Sequence, residues 1–395
     1  MQYIDLFAGC GGLSLGLQKS GHTCIFSIEK SQDAFNTYSY NLHGEDTKRQ
    51  WPNWLTIGPH DARDVLTKYN KQLKGLRGKV DMVVGGPPCQ GFSLAGKRYH
   101  QDDRNSMVDV YLNFVSLVQP KVVFFENVKG IDTPFTESLS SISYAEIIRN
   151  KLKELNYIVQ DRIVDFSNYG IPQRRKRFIV IGFRIDINVK PQEFWDIVDS
   201  DCLAFLASKG LQQKVCLKEA ISDLLHSNPV YPTKDRSKFY SGSYGAIDSE
   251  YQRLMRGGTT GNVPDSHSFA KHTEYVQERF MACLDLGIKD KNIASLLPDA
   301  HRNKKRTQFV LSPDLPSPTI TTLPDDYIHY SEPRILTVRE LARIQSFPDC
   351  FHFTGKYTTG GKQRKMETPR YTQVGNAIPP LFAELIGVSL KKVIK

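Results

Sequence analysis

The first 187 residues are punctuated by short apolar runs of strand length, most of them ending in a glycine-rich or acidic cluster. Tyr3 to Phe7 is the first; Thr23 to Ile28, Val80 to Val84, Lys121 to Phe125 and Phe178 to Phe183 follow. Runs of this length bounded by turn residues suit strands buried on both faces. Helical patterns lie between them. Leu13, Leu15 and Leu17 follow the first run, and Met107, Val108, Tyr111, Phe114, Val115 and Val118 recur at helical spacing before the fourth. Strands alternating with helices imply parallel crossovers, so the expected fold class is α/β, with a doubly wound sheet. Such sheets bind ligands beyond the carboxyl ends of their strands. Here polar and glycine-rich residues gather after Phe7, Ile28, Val84 and Phe125.

The alternation is lost near residue 188 and does not return until about residue 333. Turn signals such as Gly242-Ser243, Gly257-Gly258 and Gly261-Asn262 replace it. This middle segment is nearly charge-balanced, so the positive excess behind the net charge of +10 lies in the first half and the last 62 residues. A sequence pI of about 9.1 favours a polyanionic partner, most commonly nucleic acid. One basic run, Arg302 to Arg306, could meet phosphate or simply be solvated. Domain-like patterning resumes with a helix expected over Thr337 to Ile344. A second helix starts at Pro379-Pro380, where proline is tolerated, and carries an apolar stripe from Leu381 to Leu390.

The seven cysteines form no CxxC pair and have irregular spacings, which argues against a zinc ribbon or a disulfide framework. Scattered thiols in odd number suit a reducing cytoplasm. The amino terminus lacks the basic and apolar regions of a signal peptide, and no stretch approaches the roughly 18 apolar residues of a membrane span. A soluble, cytoplasmic protein with no membrane partner is expected.

Two ends of the expected sheet carry chemistry. At the first, Phe7-Ala8-Gly9-Cys10-Gly11-Gly12 follows a strand and opens a helix, and its glycines let the backbone approach a ligand closely. Glu29 ends the second strand, 20 residues beyond Gly9, where an acid can accept hydrogen bonds from both ribose hydroxyls. Asp61 opens a further helix and could bind an exocyclic amine. The spacing is not GxGxxG, so a nucleoside without phosphates fits better than a dinucleotide; a plain strand-to-helix turn is the alternative.

At the second end, Gly85-Gly86-Pro87-Pro88-Cys89-Gln90-Gly91-Phe92-Ser93 holds a thiol in a stiff loop beyond a strand. A lone cysteine is more often a small core residue than a nucleophile, but a core cysteine rarely sits in a proline-glycine loop. Glu126-Asn127-Val128 would place a carboxylate facing the same cleft. In Gln173-Arg174-Arg175-Lys176-Arg177, alternate residues of an extended segment share one side, so Arg175 and Arg177 are expected to point together.

These blocks resemble the ordered motifs of the cytosine-C5 DNA methyltransferase family. The resemblance runs through Asp5 to Gly9, Pro87 to Gln90, Glu126 to Val128, Gln173 to Arg177, Arg339 to Pro348 and Gln373 to Pro379. It covers residues 1–187 and 334–395, while the middle segment matches only through Pro318-Thr319-Ile320. It implies a methyltransferase sheet over 1–187 that binds the cofactor and carries the chemistry. It also implies an irregular target-recognition domain over 188–333, a hinge and second-domain edge over 334–371, and a carboxy-terminal helix over 372–395 that returns to the sheet.

The implied cofactor is S-adenosyl-L-methionine, released as S-adenosyl-L-homocysteine, with no metal. The implied holders are Phe7, Ala8, Gly9, Gly11, Gly12, Glu29, Asp61, Ala62, Pro88, Asn376 and Ile378. Position 30 is Lys, where several relatives carry an aromatic residue over the adenine. The implied catalytic set is Cys89 as nucleophile with Glu126 and Arg175 on the cytosine, and Arg177 holding the site or the phosphate in place. Gln90, Ser93, Lys97, Arg98 and Thr319 would touch double-stranded DNA, the loop from Ser93 to Arg104 closing over an extruded base. Arg236, Lys238, Arg253 and Arg256 are further DNA-reading candidates. Tyr240, Tyr244 and Tyr251 are expected to pack rather than stack on bases. The enzyme would act as a monomer and modify host DNA, paired with a cognate restriction endonuclease. An RNA (tRNA) methyltransferase of the same family and a non-catalytic DNA-binding relative remain as alternatives, and a nicotinamide dehydrogenase would need a pyrophosphate site that this glycine spacing does not offer.

Overall fold

A computed structural model of the protein describes residues 1–44, 50–88, 106–133, 142–302, 307–359 and 367–394. Cys89, Gln90, Ser93, Lys97 and Arg98 lie outside the described residues, as does most of the basic run after Arg302. The chain divides into two compact units. Unit 1 comprises Met1–Asp165, Lys176–Cys202 and Phe382–Lys395; unit 2 comprises Phe166–Arg175 and Leu203–Leu381. Unit 1 thus runs past residue 187, and the segment 166–175 goes with unit 2.

Unit 1 is built on six strands: β1 (Gln2–Leu6), β2 (Thr23–Ile28), β3 (Met82–Gly85), β4 (Val122–Val128), β5 (Tyr157–Asp165) and β6 (Lys176–Arg184). Their order across the sheet is β2-β1-β3-β4-β6-β5. The first four are parallel, whereas β6 is antiparallel to both of its neighbours. The sheet is therefore mixed, with its first four strands parallel as the expected crossovers require. A parallel connection needs a crossover of a dozen or more residues, and only the short segment 166–175 separates β5 from β6. β5 itself has no apolar run. It is an edge strand in which Gln160, Asp161 and Arg162 interrupt Ile158 and Ile163, which are 40% and 39% exposed. Its signal was too weak to read from sequence.

The central strands are buried as their composition requires. Val122 to Phe125 of β4 and Phe178 to Ile181 of β6 are almost wholly inaccessible. Helix Ser106–Val118 covers them through Val108, Phe114 and Val115, and Tyr111 Oη lies 3.2 Å from Val83 O and 2.9 Å from Phe124 O. At the other end of the chain, His22 Nε2 donates to Gly387 O at 2.8 Å, tying the carboxy-terminal helix into unit 1. A Cβ on Gly387 would fall 2.0 Å from Ser20 Oγ, so only glycine allows this approach.

The register aligns the strand ends. Leu6 lies opposite Ile28 and Gly85, and Gly85 lies opposite Phe125. The next residue of each strand path is Phe7, Glu29, Gly86 or Glu126, so these four form one row along the carboxyl edge of the parallel strands.

Unit 2 has few strands. Val230–Pro232 and Tyr240–Gly242 form a hairpin, Ser317–Pro318 pairs with Gln173–Arg174, and Phe309–Val310 pairs with Tyr327–Ile328. Its apolar core is supplemented by buried ion pairs centred on helix Val338–Ile344, where Arg339, Glu340 and Arg343 are all fully buried. Arg343 is held bidentately by Asp223 (2.5 and 3.0 Å) and by Asp349 (2.9 and 2.7 Å). Arg334 grips Glu340 in the same way (2.8 and 2.7 Å). No described helix is long and apolar enough to cross a membrane, and no described cluster of three His, Cys, Asp or Glu could hold a metal ion.

Candidate active site

The glycine end of the sheet is organised around Glu29. Ala8 N donates to Ile28 O at 3.1 Å, and Gly9 and Gly11 then take positive φ of 56° and 97°. This turn brings Gly9 N to 2.9 Å from Glu29 Oε2, while Ser31 N donates to Oε1 at 2.7 Å. The carboxylate keeps acceptor capacity for a further donor. Burial raises the Glu29 pKa, and the amides of Ser31, Gly9 and Lys30 oppose that rise. Gly11 cannot be replaced without displacement, because its Cβ would lie 2.4 Å from Leu42 Cδ1 and 2.9 Å from Tyr38 Cδ2. Phe7, at φ 59°, packs part-buried against the core.

Asp61 caps helix Ala62–Lys68. Its Oδ1 accepts from Arg63 N at 2.9 Å and its Oδ2 from Lys30 Nζ at 2.8 Å. Partial burial opposes ionisation, but the Lys30 ammonium and the Arg63 amide outweigh it, so the carboxyl titrates below its ordinary range. Lys30 thus serves Asp61, a pairing that sequence reasoning missed; the opposite charges at a strand end and a helix start were its only signal. Ala62 is buried beside it. His60 N donates to Glu29 O at 2.8 Å, which holds the two acidic positions in one frame.

The second end carries Glu126, 9% exposed at the close of β4. Its Oε1 lies 3.0 Å from Arg177 Nε on β6. Gly86 lies so close that a Cβ there would be 2.8 Å from Glu126 Oε2. Asn127 Nδ2 donates to Pro87 O at 3.1 Å and its Oδ1 accepts from Val128 N at 2.9 Å. Asn127 therefore pins the proline turn that leads to Pro88, which is exposed, and on to Cys89. The motif containing Asn127 was visible in the sequence; this positioning function was not.

Arg175 belongs to unit 2, where it is 3% exposed. Its Nη2 donates to Gly375 O at 3.0 Å and its Nη1 to Ile320 O at 3.4 Å. The segment around it is not continuously extended: Arg175 N donates back to Gln173 O at 3.0 Å. The simple alternation of a continuously extended segment does not carry through this turn. Gln173 explains the arrangement. Its Nε2 donates to Gln345 Oε1 at 2.8 Å, and its Oε1 accepts from Ile320 N at 3.0 Å. Gln345 Nε2 in turn lies 2.9 Å from Val374 O and 3.2 Å from Ala377 O. Four motifs distant in sequence meet here within unit 2. Thr319 Oγ1 donates to Arg174 O at 2.8 Å; Asn376 is exposed and Ile378 is buried.

Five of the described thiols are poorly suited to nucleophilic work, whereas Cys350 is exposed. Burial pushes Cys10 and Cys24 up to about 12 and Cys202 to about 11, and it raises Cys216 and Cys283 as well. A thiol held protonated is inert.

The profile of the C-5 cytosine-specific DNA methylases matches residues 1–392. The type II methyltransferase M.DdeI of Desulfomicrobium norvegicum is 34% identical, over 98% of this chain and 87% of its own length. The type II methyltransferase M1.HphI of Haemophilus parahaemolyticus is 29% identical, over 100% of this chain and 87% of its own. A solved E. coli structure, described as a candidate DNA modification methyltransferase encoded within a prophage, matches with a TM-score of 0.66 at 25% identity. That match covers 100% of this chain and 99% of the other. These matches do not favour the RNA-methylating or non-catalytic readings. Spanning nearly its whole length, they make this chain a member of the C-5 cytosine-specific DNA methylase family, a DNA (cytosine-5-)-methyltransferase.

Proposed function

We propose that the chain methylates cytosine within a specific duplex sequence by covalent catalysis from Cys89. The observation that carries this reading is the row formed by Phe7, Glu29, Gly86 and Glu126. It aligns Glu29, the glycine turn and the Arg177-paired Glu126 along one edge of the sheet, which supports a nucleoside site beside a catalytic carboxylate, and the Gly86-Pro87-Pro88 turn leads in sequence to Cys89.

The donor set of the first pocket fits S-adenosylmethionine. Glu29 retains acceptor capacity for ribose hydroxyls, Asp61 with Ala62 suits the adenine, and the Gly9 to Gly12 turn offers close backbone approach. Phe7, Ala8 and Pro88 complete the holders on unit 1. Bound there, the cofactor supplies an electrophilic methyl group that cytosine C5 accepts.

The chain supplies the rest. Cytosine C5 is a weak nucleophile, and addition of the Cys89 thiolate to C6 turns the ring into an enamine with electron density at C5. Glu126 hydrogen-bonds N3 and the exocyclic amine, offsetting the charge that develops on the ring. Arg177 orients Glu126. Loss of the C5 proton then expels Cys89 and restores aromaticity. The target base leaves the stack at a cost of about a few kcal/mol. Contacts from the recognition segment and from Gln90, Ser93, Lys97, Arg98 and Thr319 offset that cost. The naming of the relatives as type II methyltransferases supports a modification role opposite a restriction endonuclease.

The test is methyl transfer to duplex DNA by Cys89→Ala. Full loss of transfer with cofactor affinity retained supports the mechanism; full activity overturns it. Duplex containing 5-fluorocytosine, which cannot lose a C5 proton, should trap wild-type enzyme as a covalent adduct.

A further inference from the structure

Most described arginines of unit 2 are buried or engaged by an acid. Arg343, Arg334 and Arg339 are buried on carboxylates. Arg256 donates to Gly245 O at 2.9 Å and lies 4.2 Å from the Tyr244 ring, and Arg253 pairs with Glu250. Tyr244 and Tyr251 also face inward, on Asp349 Oδ2 at 2.8 Å and Arg343 O at 2.6 Å, as expected.

The hairpin Val230–Pro232/Tyr240–Gly242 is different. Its turn, 233–239, carries Lys234, Arg236 and Lys238 against a single acid, Asp235. That acid is neutralised from the body of unit 2 by Arg370 at 2.5 Å and accepts a hydrogen bond from the Tyr357 hydroxyl at 3.1 Å. The positive charge of the turn is therefore left facing solvent. Lys234 and Lys238 are exposed, and neither forms an ion pair with any described residue. Tyr231 and Tyr240 flank them at 47% and 53% exposure, so Tyr240 departs from the expected packing.

The hairpin is also braced. Thr233 and Ser241 share a hydrogen bond of 2.9 Å between their hydroxyls, Phe269 N donates to Tyr240 O at 2.9 Å, and the Arg236 guanidinium sits 3.5 Å from the Phe239 ring centroid. Lys238 is held at φ 65°, a left-handed conformation rare for a side-chain-bearing residue and retained only where its surroundings enforce it.

A two-stranded ribbon fits the major groove, phosphate recognition needs uncompensated cations, and exposed aromatics suit sugar and base edges. We infer that this hairpin is the element by which unit 2 grips duplex DNA, Lys234 and Lys238 neutralising phosphates and Tyr231 and Tyr240 lying against sugar and base edges. The inference rests on the proposed role of unit 2 in DNA contact and narrows it to one ribbon.

The experiment is titration of the full chain with a methylatable duplex at several salt concentrations. Lys234→Gln/Lys238→Gln should raise the DNA Kd about 10- to 30-fold near 0.15 M salt and flatten the slope of log K against log salt by about 2. Tyr240→Ala should weaken binding without changing the slope. Cofactor affinity, measured in the same samples, reports folding. Wild-type slope and Kd in the double variant, with cofactor bound normally, would overturn the hairpin assignment. Failure of the broader reading looks different: wild-type protein that does not methylate duplex DNA, or Cys89→Ala that still does.

Discussion

Arg177 Nε lies 3.0 Å from Glu126 Oε1, and the two side chains are only 11% and 12% exposed. The register accounts for the contact. Glu126 lies opposite Ile179 and Val128 opposite Arg177, so Glu126 and Arg177 are diagonal neighbours on one face of an antiparallel pair, within reach of a long side chain. The antiparallel direction of β6 is thus what brings this guanidinium to the carboxylate.

Arg177→Ala should therefore lower methyl transfer by about 10²-fold, the scale of a lost transition-state contact. Cofactor affinity should change little, because Glu29 and Asp61 are untouched. Glu126→Gln should cost about 10² to 10⁴ in kcat. Single-turnover rates with equilibrium cofactor binding check both. Equal losses in transfer and cofactor binding would mean that Arg177 only holds the fold.

Gly86→Ala should damage catalysis through Glu126. The added methyl would stand 2.8 Å from Glu126 Oε2 and 3.3 Å from Glu126 O, so the carboxylate must move. A loss of about tenfold or more in kcat is expected, with about 1–3 kcal/mol of destabilisation from overpacking. Thermal melts and turnover on the same preparation separate the two effects.

Arg343→Met should unfold unit 2 before it affects chemistry. It leaves Asp223 and Asp349 buried without the guanidinium that both engage. Breaking a buried pair costs about 3–5 kcal/mol. Denaturant titration should show the loss, and proteolysis should begin between residues 203 and 381.

Stability should depend on pH through Asp5. The carboxyl is buried in β1, accepts a 2.5 Å hydrogen bond from Ser14 Oγ, and is pushed by burial to about 7. Its folded pKa exceeds the unfolded value, so its contribution is fully present below about pH 4 and is lost as pH rises through about 7. Asp5→Asn should therefore flatten the fall in melting temperature between pH 5 and pH 8. An unchanged slope in that variant would remove Asp5 as its source.

The glycine loop, Glu29, Asp61 and the Gly-Gly-Pro-Pro turn were legible because each follows an apolar run of strand length, and a strand end is a place that sequence can mark. The hydrophobic period does not carry strand direction, so the antiparallel β6 was invisible. The amphipathic edge strand β5 lacked the signal that found its neighbours. In unit 2 the sequence was least informative, since its interior rests on pairs such as Arg343 with Asp223, 120 residues apart, whose residue types read as surface.

By itself the sequence determined which side chains stand at the strand ends, because burial of continuous apolar segments and the freedom of glycine are local properties. Only the tertiary structure decided what each functional group faces. Asp61 meets Lys30, Glu126 meets Arg177, and Arg175 meets the carbonyl of Gly375, 200 residues away. A charged or polar group takes its partner from whichever segment the fold brings alongside, and that choice is not written in the neighbouring residues.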